Sequence, residues 1–256
     1  MPGYMINQMK KKLRNGEVVL GSWITISSTD IPEILSVYDF DWFLFDMEHA
    51  PLTVAELEPL FQSTPPKITP LVRVPVNSLI YVKQALDTGG HGVMIPMVNS
   101  SDDASNAVSY TRYPPEGIRG TGARRASQYY SNHSEYLKTA NREVLVIVQI
   151  ETKEAVNNFE NIISVDGVDG WFVGPYDLAA SMGHLGEPES TAVEDAMKRM
   201  LKIAERSDKP GGTLSFNLKK AKEYISAGFK IMAIGSDDYF LLNGAREAIE
   251  NIRKEI

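Results

Sequence analysis

The stretch FLFDMEHAP, residues 43–51, runs from aromatic and aliphatic side chains straight into Asp46, Glu48 and His49, and then a proline. Ionisable groups at the end of an apolar run are costly unless they are paired or put to use. Other apolar runs end the same way, with Arg73 in LVRVP, Gln149 and Glu151 in VQIE, and Asp177 in GPYD. Asp46, three residues before His49, is placed to fix the tautomer of the imidazole and make it a general base. The plainer alternative is an exposed loop histidine. Glu48 reads as support for the loop. Arg73 would either balance a structural carboxylate or stabilise charge developing on a substrate oxygen, for which a planar, permanently charged fork is suited.

Glu151 and Asp177 close consecutive runs that read as neighbouring strands, about 4.8 Å apart. Two carboxylates so placed repel each other unless a cation lies between them or one is protonated. A divalent ion such as Mg²⁺ suits the pair, because it accepts few protein carboxylates and leaves positions for water and substrate. The alternative for Asp177 is a salt bridge or a helix cap. Gln149, two residues before Glu151, points to the same face. Of the remaining histidines, His91 precedes a strand and His133 and His184 read as loop residues, without a role. No lysine stands at the upper end of a strand, where a Schiff base would need it. The GSDD of residues 235–238 would repel phosphate.

Positioning these groups falls to a repeated rhythm. Strand-like runs occupy 18–26, 41–49, 68–75, 92–98, 143–151, 169–175, 211–216 and 229–237. Each is apolar on both faces, as a parallel strand covered on both sides should be. Helical patterns lie between them, for instance 53–63, 78–88 and 218–228, with a capping box at Thr53 and Glu56 and glycines at 89 and 228 where helices should stop. Eight strands alternating with helices predict an α/β (β/α)8 TIM barrel, with the polar strand ends gathered at the C-terminal face. A doubly wound sheet is the alternative, but no G-x-G-x-x-G follows the first strand. The long link 99–142 holds a helix near 101–111, the loop YPPEGIRGTGARRASQYY, and a further helix to Asn141. Such a loop would lie at the active face. One domain, 1–256, is expected.

The chain has 256 residues, no cysteine and a formal charge of −7. This charge argues against nucleic acid or an anionic membrane as partner. Without cysteine, disulfides, thiolate metal sites and a thiol nucleophile are excluded. The basic run Lys10-Lys11-Lys12 reads as a solvated helix face. No apolar run reaches the length of a membrane span, and the N-terminal residues lack the apolar core of a signal peptide, so a cytoplasmic protein is expected.

FDMEHAP, LVRVP, GVMIPMV, PPEGIRGTG, VQIET and GVDGWFVGPYDLAASMG resemble, in order and spacing, the HpcH/HpaI family of pyruvate-dependent class II aldolases, of the type acting on 4-hydroxy-2-oxoheptanedioate or 2-dehydro-3-deoxy sugar acids. The resemblance implies a barrel of the phosphoenolpyruvate/pyruvate superfamily that cleaves a 4-hydroxy-2-oxo acid to pyruvate and an aldehyde. It implies Glu151 and Asp177 as ligands of Mg²⁺, Mn²⁺ or Co²⁺, Arg73 as stabiliser of the enolate, and His49, oriented by Asp46, as proton carrier. Gln149, Gly174, Tyr176 and Asp177 would bind substrate, with the backbone N–H groups of Tyr176 and Asp177 on its carboxylate. Leu214 would line the aldehyde pocket. The family also implies a homo-oligomer, a hexamer with exchanged C-terminal helices. Two departures, a shortened segment after GIRGTG and Tyr176 in GPYD, would fall at the active-site mouth, where Arg124 or Arg125 would either face an acidic aldehyde or stand as a surface arginine. Alternatives within and outside this class are a metal-independent, citrate-synthase-like condensing enzyme and a barrel that binds a dicarboxylate without catalysis.

Overall fold

A computed structural model describes residues 6–254, so both ends of the expected 1–256 domain, including the first residues of the stretch read against a signal peptide, lie outside the described residues. Eight strands are formed: β1 Val19–Ile24, β2 Trp42–Asp46, β3 Thr69–Arg73, β4 Gly92–Ile95, β5 Leu145–Ile150, β6 Gly170–Val173, β7 Gly211–Leu214 and β8 Ile231–Ser236. They pair in parallel in chain order, and β8 returns to β1 to close the barrel. With helices between the strands, this is the (β/α)8 architecture. Every strand is shorter than its apolar run, because residues at the ends of each run leave the ladder to form loops.

The two-residue alternation of a strand divides the core in two. One set of side chains fills the barrel, including Val19, Trp42, Leu44, Leu71, Met94, Ile147, Phe172 and Ile231. The other set, including Phe43, Phe45, Val72, Val146, Val148 and Trp171, packs under the helices. Large rings inside so narrow a barrel need small partners. A Cβ at Gly21 would overlap the ring of Trp42, with which Gly21 is in register. Helix boundaries follow their caps. Helix Val54–Ser63 starts on the Thr53–Glu56 capping box, and Gly89 (φ 114°) and Gly228 (φ 121°) stop helices Leu79–Asp87 and Leu218–Ala227 in a conformation open to glycine.

Three expectations are corrected. Lys10 is buried rather than solvated: in helix Gln8–Arg14 its Nζ lies 2.7 Å from Asp169 and donates to the Val144 carbonyl, while Lys12 pairs with Asp41. The short helix plugs the barrel floor, with the backbone N–H of Met9 donating to Thr69 inside it, and that position takes Lys10 out of water. His133 opens helix His133–Glu143 instead of lying in a loop. The segment 112–132 does not border the active face. Helix Ser101–Thr111 first carries the chain down the length of the barrel, so this segment starts at the N-terminal end. There Arg112 donates to the carbonyls of Val144 and Gly167, which lie ahead of β5 and β6, and Arg119 binds Asp87 at the foot of its helix, 2.7 Å away. Arg125 donates to the Thr88 carbonyl and Arg124 pairs with Glu58, so neither faces a substrate in this chain's own barrel. No helix among the described residues is long and apolar enough to cross a membrane.

At the closing seam, the buried carboxylate of Asp237, just past β8, accepts from the backbone N–H groups of Thr25 and Ile26 and from Thr25 Oγ1, at 2.6–3.0 Å. Here an expected repulsive charge is a latch between the ends of the first and last strands. Asp237→Ala leaves these donors unpaired and is expected to cost about 3 kcal/mol. Urea unfolding should show a lower midpoint with an unchanged slope.

Candidate active site

The site grows from the inward-facing positions at the top of β2, β3 and β5. Asp46 and Arg73 are partners in the β2–β3 register, so their side chains emerge side by side inside the barrel. Both are buried, and the carboxylate takes Arg73 in a fork, Nε to Oδ1 at 2.9 Å and Nη2 to Oδ2 at 2.6 Å. Trp23 supports the guanidinium from its face, 5.6 Å from the ring centroid. Burial works against the Arg73 charge, but the hydrogen bond and charge of Asp46, with Glu48 and Glu151 adding to them, hold its pKa above the ordinary value.

This arrangement corrects the expected Asp46–His49 contact. Asp46 Oδ1 also accepts from the backbone N–H groups of Glu48 and His49, at 3.0 and 3.3 Å. Both oxygens are thus committed to Arg73 and the loop backbone, and the imidazole itself goes unaddressed by Asp46. The carboxylate near the ring is Glu48, whose Oε2 lies 3.8 Å from His49 Nε2 and 3.2 Å from Arg73 Nη1. Glu48 therefore faces the site rather than merely bracing the loop. Its Oε2 is buried without a well-aligned donor, and burial raises its pKa, with Asp46 and Asp177 adding to the effect and Arg73 opposing it.

Glu151, just past β5, is buried against the start of helix Pro175–Ser181. Its Oε1 accepts from the Met97 backbone N–H at 2.6 Å and its Oε2 from Gln149 at 3.2 Å. To present that amide, Met97 adopts a left-handed backbone, φ 54°, unusual for a residue with a side chain. A Cβ at Gly174 would lie 2.9 Å from Glu151 Oε2, so glycine is what lets the next strand's end approach the carboxylate. Burial, then the charges of Glu48 and Asp177, push the Glu151 pKa up to about 7 against the Met97 hydrogen bond and Arg73. Among the described residues, Glu48 and Glu151 thus share one guanidinium, Arg73, which already holds Asp46, while the exposed Asp177 adds further negative charge.

A divalent cation fits that deficit. The available donors are carboxylate oxygens, with the unpartnered buried Oε1 of Gln149 beside them, which is the chemistry of a hard ion. Among the described residues no three His, Asp or Glu side chains form a complete metal cluster, so the protein's share would be the Glu151–Asp177 pair, and substrate and water would complete the shell.

Above these groups opens a cavity of about 240 Å³. The structure brings His49, Arg73, Gln149, Gly174, Tyr176, Asp177 and Leu214 to its wall, with Asp46 and Glu151 buried behind. Tyr176 and Asp177 occupy the first turn of their helix, before Leu178, whose N–H is bonded to the Gly174 carbonyl, so their own N–H groups have no carbonyl within the helix. Sequence reasoning missed Trp23, Phe172, Phe216, Thr25, Ser236 and Asp238. Strand parity could have found Trp23 and Phe172, which alternate with outward-facing neighbours. Phe216 and Asp238 reach the cavity from loop and helix positions that parity does not govern.

A family profile described as HpcH/HpaI aldolase/citrate lyase matches residues 20–244. The 4-hydroxy-2-oxo-heptane-1,7-dioate aldolase of Salmonella typhimurium is 40% identical over 94% of this chain and 92% of its own. An HpcH/HpaI aldolase/citrate lyase family protein from Burkholderia cenocepacia J2315 superposes with a TM-score of 0.92 at 36% identity, over 96% of this chain and 99% of its own. The HpcH/HpaI aldolase of Desulfitobacterium hafniense DCB-2 does so at 0.89 and 28%, over 95% and 96%.

The raised pKa of Glu151 has a consequence for stability. Between about pH 4.5 and 7 the folded chain keeps a proton that the unfolded chain gives up. The stabilisation from this group is complete below pH 4.5 and is lost as pH rises through 7. In the presence of a chelator, Glu151→Gln should therefore be the more stable protein at pH 8, by up to about 3 kcal/mol, and the difference should vanish near pH 4.5. Thermal melts across that range test this. Added Mn²⁺ should raise the melting temperature of the wild type and leave that of the variant unchanged.

Proposed function

The chain belongs to the HpcH/HpaI aldolase/citrate lyase family, and from that premise we propose that it is a divalent-metal-dependent aldolase cleaving a 4-hydroxy-2-oxo acid to pyruvate and an aldehyde. The observation that carries the metal requirement is Glu151, buried and short of positive charge next to Asp177, at the mouth where Arg73 and His49 meet. Glu151 and Asp177 would hold Mg²⁺, Mn²⁺ or Co²⁺, with Gln149 beside them. When bound, the ion supplies a Lewis acid for the 2-oxo group and a sink for the charge released by carbon–carbon cleavage.

The chain's own groups do the rest. The N–H groups of Tyr176 and Asp177, at a helix start opened by Gly174, bind the substrate carboxylate. Arg73, locked by the Asp46 fork, presents a fixed positive charge to the developing enolate oxygen and needs no reorganisation as the charge forms. His49, exposed at the rim, moves a proton through a water between the C4 hydroxyl and the solvent. Leu214 borders the aldehyde side. The 4-hydroxy-2-oxo-heptane-1,7-dioate aldolase relative supports this reaction class. The apolar side chains exposed along helix Asp237–Arg253, among them Leu241, Leu242, Ile249 and Ile252, fit the family's homo-oligomer, a hexamer. No membrane partner is proposed, and the cytoplasm is the expected compartment.

The first test is exchange of pyruvate's methyl protons in heavy water, followed by NMR. Exchange should stop with EDTA and return with Mg²⁺ or Mn²⁺. Exchange indifferent to EDTA would point to a metal-independent condensing enzyme instead, and none under either condition would point to a non-catalytic binder. His49→Ala should slow exchange by roughly 10²–10⁴-fold and Arg73→Lys by about 10²-fold, with pyruvate still bound.

A further inference from the structure

Among the described residues the Glu151 carboxylate has two donors, the Met97 backbone N–H on Oε1 at 2.6 Å and Gln149 Nε2 on Oε2 at 3.2 Å. The shorter bond exists only while Met97 keeps its left-handed backbone, φ 54°. A residue with a Cβ holds that conformation only when its surroundings impose it. The Met97 side chain is not what imposes it, being 53% exposed, whereas Pro96 and Val98 on either side are buried.

Two residues on, Asn99 is fastened at three points. Its backbone N–H donates to Asp103 Oδ2 at 3.0 Å, its carbonyl accepts from Asn158 Nδ2 at 2.8 Å, and its Oδ1 accepts from the Thr152 hydroxyl. Thr152 follows Glu151 directly and caps helix Lys153–Asn157, and Asn158 closes that helix. The loop after β4 is thus clamped onto the segment that carries Glu151. Met97 to Glu151 at one end and Asn99 to Thr152 at the other close a ring, with the buried Val98 between them. Neither end of such a ring turns without disturbing the other.

Resting on the metal-dependent reading above, we propose that Asn99 is a positioning residue for the cation: it fixes the left-handed turn at Met97, which keeps the Met97 amide on Glu151 and the carboxylate in one orientation to receive the ion. Partners of a metal ligand act in this way, by restricting the ligand to the arrangement that coordinates. Without the clamp Met97 relaxes to negative φ, its N–H turns away, and Glu151 is left to Gln149 alone. Binding then has to order the carboxylate, at the expense of affinity. Glycine adopts the left-handed region without a Cβ penalty, so Met97→Gly makes the turn less dependent on the clamp.

The test compares Mn²⁺ dissociation constants, read from the EPR signal of the free ion, in the wild type, Asn99→Ala, Met97→Gly and the double variant. Asn99→Ala should weaken binding about tenfold in the wild-type background and less than about threefold in the Met97→Gly background. In metal-free protein the Met97 amide should exchange with heavy water faster in Asn99→Ala than in the wild type, a readout that needs no ion. A melting curve checks folding. If Asn99→Ala does not fold, Asn158→Ala, which removes the donor to the Asn99 carbonyl, takes its place in both measurements. Unchanged Mn²⁺ affinity in the folded variant overturns the inference, as does unchanged exchange at Met97. An equal loss of affinity in both backgrounds overturns the action through Met97. A wild type that binds no Mn²⁺ overturns the metal-dependent reading and this inference with it, whereas tight wild-type binding with an indifferent Asn99→Ala overturns this inference alone.

Discussion

The bidentate pair between Asp46 and Arg73 is the interaction on which the rest of the site depends. A guanidinium cannot be carried into a barrel interior without a counter-charge held in good geometry. The β2–β3 register supplies one at the same height, and the fork leaves the arginine with a single orientation. Asp46 then reaches on to the backbone of Glu48 and His49, so the same carboxylate that fixes the cation also fixes the turn presenting the histidine. A change at Asp46 would therefore disturb the charge and the loop together.

With Asp46 neutralised, the electrostatics of the mouth are a matter of what remains. Glu48 and Glu151 share one arginine that is already paired, burial magnifies the deficit, and the exposed Asp177 adds its charge from the rim. Structural economy alone would have removed one of these carboxylates. Gly174 stands beside them, where any side chain would press on Glu151, and that space fits the divalent cation proposed for this site. The strained Met97 backbone, turned to give Glu151 an amide, belongs to the same arrangement.

The opposite end of the barrel has a different character. There each buried cation has a carboxylate: Lys10 and Arg112 share Asp169, Arg112 also donates to two carbonyls, and Arg119 binds Asp87. These contacts tie the plug helix and the long link to the strand starts, and they are consistent with stability rather than chemistry. At the floor the buried cations outnumber their carboxylates, whereas at the mouth the carboxylates outnumber the guanidinium, so the two ends differ in electrostatics as well as in topology.

Much of this was legible in the sequence. The eight apolar runs and their caps specified the barrel, because parallel strands covered on both faces leave a recognisable pattern. A barrel brings all its strand ends to one face, so Asp46, His49, Arg73, Gln149, Glu151 and Asp177 could be gathered before any distance was known. Partner choice within that face was not legible. Whether Asp46 meets His49 or Arg73 depends on the β2–β3 register, which local sequence does not encode, and a fork to arginine outcompeted an imidazole. The destination of the link was likewise hidden, since the length of helix Ser101–Thr111 decided at which end of the barrel Arg124 and Arg125 emerge. Lys10 looked solvated until a tertiary plug enclosed it, and Asp237 looked repulsive until the closing seam supplied its donors. The one-dimensional pattern determined which groups share a face, because periodicity and topology are carried by the chain itself; which of them touch was decided only by packing, because contact depends on register, rotamer and the competition among neighbours in three dimensions.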